Sequence, residues 1–196
     1  MSEQTQSLQE ELSAAKRKSA KPMLWVAMIS MVMFFAGLTS AYVVSMNRED
    51  WVTFELPQAF YISTVLIVFS SITLWLSQKF LKKNQLSQSL TLLVLTFILG
   101  MGFVWYQYVG FNQLKEVGLY FTGPESTVST SFIIGITFMH VLHLLAGVIV
   151  LLVVIYNHFK KKYTAADMLG FELGAIFWHF VDVLWIYLFF FFYFIR

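Results

Sequence analysis

Ionisable side chains within the apolar stretches of this chain gather near its C-terminus, with His140 and His143 in one stretch and Glu172, His179 and Asp182 in the next. Such groups are costly in hydrocarbon, usually face a bundle interior, and mark helix locks, proton paths or cofactor sites. Histidines from facing helices could hold a haem. His140 and His143, however, are three residues apart on one segment, so they cannot be opposed axial ligands of one haem, and no second pair lies on another stretch. A chain of Asp, Glu and His could relay protons, but the first and third apolar stretches carry no ionisable group besides tyrosine, so a route confined to this protein would cross mostly apolar helix. The remaining chemistry is structural. At about 1.5 Å per residue, His143 lies roughly 22 Å and Asp182 roughly 20 Å from the same ends of their helices. They are level, near the centre of a bilayer. We therefore expect His143 and Asp182, with His179 beside them and His140 and Glu172 in the same intramembrane polar set, to form an interhelical cluster, because an unpaired carboxylate at that depth is untenable.

The elements that must position these groups follow from composition. Hydrophobic residues make up 58% of the 196 positions and charged ones 12%, far from a soluble domain. Five stretches, near 22–46, 57–80, 87–112, 128–158 and 169–195, reach the roughly 20 apolar residues needed to cross a hydrocarbon core of about 30 Å as a helix. Pro22 and Pro57 suit the first turns of the first two, where a missing N–H costs nothing. The expected fold is an all-α antiparallel bundle of five transmembrane helices. Connections are short, which predicts that sequential helices are neighbours. No extramembrane stretch is long enough to fold as a domain.

Ten basic residues, Lys16, Arg17, Lys18, Lys21, Lys79, Lys82, Lys83 and Lys160 to Lys162, fall on one side of this five-span topology, and three, Arg48, Lys115 and Arg196, on the other. The positive-inside bias then puts the N-terminus in the cytoplasm and the C-terminus outside. Four or six spans would scatter the clusters. A net charge of +2 gives no broad basic surface for nucleic acid. Without cysteine, no disulfide, thiolate-bound zinc, iron-sulfur cluster or cysteine-built copper site can form. Residues 1–21 read as a retained polar tail, mobile rather than helical, although Leu8 and Leu12 stand at helical spacing. Gly170 and Gly174 form a small-xxx-small pair suited to close helix packing. The aromatic run Phe189 to Phe192, with Tyr193 and Phe194, is expected to face lipid or a partner.

Gly170-Phe171-Glu172 followed by Trp178-His179-Phe180-Val181-Asp182-Val183-Leu184-Trp185 resembles the last span of subunit III of haem-copper respiratory oxidases, in which a Trp-His-Phe-Val-Asp core is found. The preceding span is similar too, through Ser131-Phe132, His140-Val141-Leu142-His143 and Gly147. The resemblance covers roughly residues 24 to 195 and fits the short five-span bacterial form. It departs at Met31, where many members carry a buried glutamate, and at Gly110, where a glutamate often follows the family's glutamine, here Gln107. The resemblance implies a non-catalytic subunit of a cytochrome c or quinol oxidase in a bacterial inner membrane. It implies no cofactor in this chain, haem and copper in partner subunits, and bound phospholipid. The implied partners are subunit I directly, subunit II, small subunits and a respiratory supercomplex. From another class, a free-standing transporter or a haem-carrying electron-transfer subunit would require a substrate cavity or a bound chromophore.

Overall fold

A computed structural model describes residues 2–49, 51, 55–116, 118, 127–164 and 167–195, without the side chains of 2–10, 12 and 13. Arg196 and the side chains of Leu8 and Leu12 therefore lie outside the described residues. Five helices, α1 (Ser2–Ser45), α2 (Gln58–Lys82), α3 (Leu86–Glu116), α4 (Val128–Phe159) and α5 (Leu169–Phe194), account for the regular structure, with no strand among the described residues. All five are long and apolar enough to cross a membrane.

The helix ends show why the chain turns where it does. At the end of α2, Asn84 takes a left-handed φ of 61°, and the N–H of Gln85 reaches back to the carbonyl of Phe80. α4 ends the same way, with Lys161 at φ 53° and Lys162 bonded to the carbonyl of Asn157. Both are paired-bond caps that satisfy the last carbonyls of a helix. Lys79 and Lys82 in the last turn of α2 complement its dipole. α4 starts on Thr127, whose hydroxyl accepts from the N–H of Thr130.

Buried positions follow a seven-residue repeat. On α2, Phe60, Ser63, Ile67, Ser70, Leu74, Ser77 and Leu81 step by three and four. On α3, Ser89, Leu93, Thr96, Gly100, Phe103, Gln107, Gly110 and Leu114 do likewise. That period lets two helices stay in register as a left-handed pair. α2 and α3 consequently touch along their lengths, α3 packs on α4, and α5 lies between α4 and α2 while also touching α1.

Two expectations are corrected. Among the described residues α1 does not neighbour α2 and packs instead on α4 and α5. Residues 46–57 can reach about 40 Å when extended, ample to step past one helix. The polar N-terminal segment is helical instead of a mobile tail, because α1 begins at Ser2 and carries Pro22 in its interior. Lys21 and Arg17 of this extension pair with Glu172 and Asp167, which fastens the extension to the start of α5.

Candidate functional site

Trp178 and Trp185 stand two turns apart on α5, each almost fully buried. The indole N–H of Trp178 donates to Ser70 Oγ of α2 at 3.1 Å, and that of Trp185 to Thr64 Oγ1 of the same helix at 2.9 Å. A ring as large as Trp178 fits only because its neighbours are small. A Cβ placed on Gly100 would come within 2.7 Å of it, and one on Gly147 within 3.3 Å. Thus α2, α3 and α4 all close on one side chain of α5. Trp185 in turn meets the edges of Phe60 and Phe103 and stacks at a tilt on His140, with centroids 5.2 to 5.6 Å away.

The level placement of His143 and Asp182 is consistent with Gly147 meeting Trp178, each one turn away in the matching direction. Their facing differs, and the expected bond between them is not made. His143 is turned towards α1, its ring 5.7 Å from Phe35, and its Nδ1 lies 2.7 Å from the carbonyl of Met139 in its own helix. Asp182 is buried, and neither carboxyl oxygen has a hydrogen-bond partner among the described residues. His179 pairs with α2 instead, through Nδ1 and Ser71 Oγ at 2.6 Å. His140 is fully buried among Phe35, Phe103 and Trp185, and neither ring nitrogen has a partner among the described residues. Glu172 belongs to another region altogether. It lies in the first turn of α5, where a carboxylate suits the helix dipole, and its carboxylate is 2.6 Å from Lys21 Nζ. The set therefore divides into His140 and His143 around Phe35, His179 and Asp182 beside Ser71, and Glu172 at the basic end.

Several polar locks lie outside that set. Ser77 Oγ donates to the Ser89 carbonyl at 2.7 Å, and Ser89 Oγ meets His158 Nε2 at 3.0 Å, so α2, α3 and α4 are joined by three side chains. His158, in the last turn of α4, is buried. Thr73 bonds Thr96 at 2.8 Å, and Gln107 donates to Ser63 at 3.1 Å. Ser63, Ser70 and Ser77 recur every seven residues, a signal visible in the sequence once hydroxyls are counted with small residues as helix-contact positions.

The remaining singled-out residues also have defined places. Gly174 sits where a Cβ would approach Val154 to 2.9 Å, and Gly170 where one would come within 2.8 Å of the Tyr163 hydroxyl. A Cβ on Gly110 would lie 2.4 Å from the ring of Phe60. Phe60 thus occupies the space a longer residue at 110 would need. Met31 is partly buried against the core, while Phe180 and Val181 of the motif line the α1–α5 groove and the core respectively. The aromatic run does not face outward as a whole. Phe189, Phe191 and Phe192 are buried, the latter two against Tyr42, whereas Phe190 and Phe194 are exposed. Among the described residues no three His, Asp or Glu side chains converge as a metal site would require.

The helices and the motif on α5 agree with the comparisons to known proteins. A family model described as cytochrome c oxidase subunit III matches residues 4–196. A cytochrome c oxidase subunit 3 of Corynebacterium diphtheriae is 32% identical over 84% of this chain and 82% of its own length. The cytochrome bo(3) ubiquinol oxidase subunit 3 of Pseudomonas aeruginosa is 27% identical over 84% of this chain and 79% of its own. Against the cytochrome c oxidase subunit 3 of Artemia franciscana, identity is 32% over 65% of this chain but 47% of that protein, so the match spans about half of the longer relative. With a family match running from the N-terminal extension to the last residue, this chain belongs to the cytochrome c oxidase subunit III family.

Proposed function

We propose that this chain is a non-catalytic subunit of a bacterial terminal oxidase, lodged in the cytoplasmic membrane with its basic end inside. In this reading it packs against the catalytic subunit I, with subunit II and small subunits in the same assembly, and steadies the haem-copper centre that reduces oxygen to water as protons are pumped. The observation that supports a structural role is where the buried polar groups go. Trp178, Trp185, Gln107 and His158 spend their hydrogen bonds on joining helices. Such bonds within a bilayer contribute about 0.6 to 1.7 kcal/mol each, which suits holding a shape.

A lipid role rests on the seam between α1 and α5. Val32, Phe35, Ala36, Phe180, Val183, Leu184 and Tyr187 line a nearly wholly apolar groove of about 290 Å³. Thr39 and Tyr187 close one end with a 3.1 Å hydrogen bond. An acyl chain laid in this groove would fill the space beside Phe35 and keep α1 seated, so the groove would border the oxygen and proton access of subunit I. Membranes from cells lacking this chain should consume oxygen through the oxidase more slowly, and a plasmid copy should restore the rate. Unchanged consumption together with an unchanged oxidase content would overturn the reading.

A further inference from the structure

Gln107 on α3 and Thr137 and His140 on α4 are almost fully buried, yet Gln107 Oε1, Thr137 Oγ1 and both ring nitrogens of His140 have no hydrogen-bond partner among the described residues. Buried polar groups in folded proteins are nearly always bonded, either to protein or to ordered water. These three side chains lie together. Ser89 of α3 meets His158 of α4, and the ring of Phe103 lies 6.2 Å from that of His140, so the two helices run antiparallel in a fixed register. Gln107 stands four residues beyond Phe103 and Thr137 three residues before His140, steps of about 6 and 4.5 Å towards the same end of the bundle. Gln107 and Thr137 are therefore level across the α3–α4 seam, one turn from His140.

The Ser63 hydroxyl donates to the carbonyl of Phe60 at 2.9 Å, so it can only accept from Gln107, which fixes the amide with Nε2 on Ser63 and Oε1 turned away. Oε1 therefore needs a donor. The imidazole of His140 is gripped by Trp185 at 5.2 Å, Phe103 at 6.2 Å and Phe35 at 6.4 Å, which keeps it from swinging onto Thr137 or Gln107. It offers an N–H, and Thr137 an O–H. A metal ion has no use for these two donors, and an anion none for the carbonyl oxygen. Water accepts and donates at once. One water accepting from His140 and Thr137 and donating to Gln107 makes three hydrogen bonds, the number usual for a buried water. Room for it comes from Thr137, the smallest side chain on the buried face of α4 between Ile133 and Leu144.

We infer that one ordered water is built into the α3–α4 seam, accepting hydrogen bonds from Thr137 and His140 and donating one to Gln107. It adds to the Ser89–His158 bond a second polar tie between these helices, roughly 30 Å further along α4. The site lies wholly inside this chain, so it stands or falls apart from membership of an oxidase.

The first test needs no variant. A crystallographic or electron-microscopy map of the full chain, with whatever subunits accompany it, fine enough to show ordered waters, should carry a peak within hydrogen-bond distance of Gln107 Oε1, Thr137 Oγ1 and one nitrogen of His140. A map without that peak, or one in which Thr137 bonds Gln107 directly, overturns the inference. The second test is a double-mutant cycle on the full chain in mixed micelles. Thr137→Val should lower the folding equilibrium constant about three- to eighteen-fold, the range one membrane hydrogen bond spans. Thr137→Ser keeps the hydroxyl and should keep the peak. In a chain already carrying Gln107→Leu, Thr137→Val should cost less than it does alone, because both changes remove the same bridge. Effects of the two that simply multiply contradict a shared water.

Discussion

The α2–α3 seam and the seat of α1 join helices by different means. Between α2 and α3, hydroxyls and glycines alternate with large side chains on a seven-residue repeat, and hydrogen bonds recur at Ser63, Thr73 and Ser77 from one end to the other. α1 leaves most of its membrane-crossing surface uncovered, and among the described residues its side-chain bonds to the rest of the bundle are Thr39 to Tyr187 and the ion pairs of Arg17 and Lys21. In a bilayer no hydrophobic force drives helix against helix, so stability comes from close packing and polar pairing. The hairpin with α4 and α5 is thus the more densely bonded part of the bundle, whereas α1 adds Phe35 and Tyr42 to the core and leaves most of its remaining surface open.

Removing the side chain on which the core closes should have the largest effect. Trp178→Ala is expected to cost about 3 to 5 kcal/mol, the usual range for deleting a buried Trp ring, read as a lower denaturation midpoint of the purified chain in mixed micelles. Next comes overpacking of the hairpin. Gly110→Ala should destabilise by about 1 to 3 kcal/mol because its methyl group meets the Phe60 ring, and Phe60→Leu in the same chain should recover part of the loss. A failure of that rescue would show that the Gly110–Phe60 contact is not what limits the site.

Deleting one hydroxyl from the seam isolates a smaller contribution. Ser70→Ala leaves the Trp178 indole without its acceptor and should cost about 0.6 to 1.7 kcal/mol. On the α1 side the comparison predicts least. Lys21→Ala breaks a partly exposed ion pair with Glu172, a class worth less than about 1 kcal/mol, so the core's denaturation midpoint should barely move. A shift as large as that of Ser70→Ala would erase the distinction between the two seams.

The helices themselves were legible in the sequence because a membrane span needs a long uncharged run, and four of the five were bounded to within a few residues. The exceptions are instructive. Pro22 reads as a helix start, yet α1 passes through it, since one missing hydrogen bond does not stop a helix whose extension is fastened at Lys21 and Arg17. Depth counting put His143 and Asp182 at one level, but depth says nothing of azimuth, and His143 looks towards Phe35. The seam hydroxyls carry little signal singly because serine is common in loops, and only its seven-residue recurrence at 63, 70 and 77 marks it as a contact residue. Gly110 was visible only as a departure from a resembling family. Its reason, Phe60, comes from another helix and needed the fold.

In the proposed function this chain acts inside an oxidase rather than alone. Native mass spectrometry of the complex purified through a tag on this chain, with a reduced-minus-oxidised absorbance spectrum of the same sample, tests it most directly. The expected result is one assembly in which this chain accompanies a haem-bearing subunit and carries no haem mass when released by itself. Recovery of the chain free of any haem-copper subunit, or with haem bound to the released chain, would contradict it.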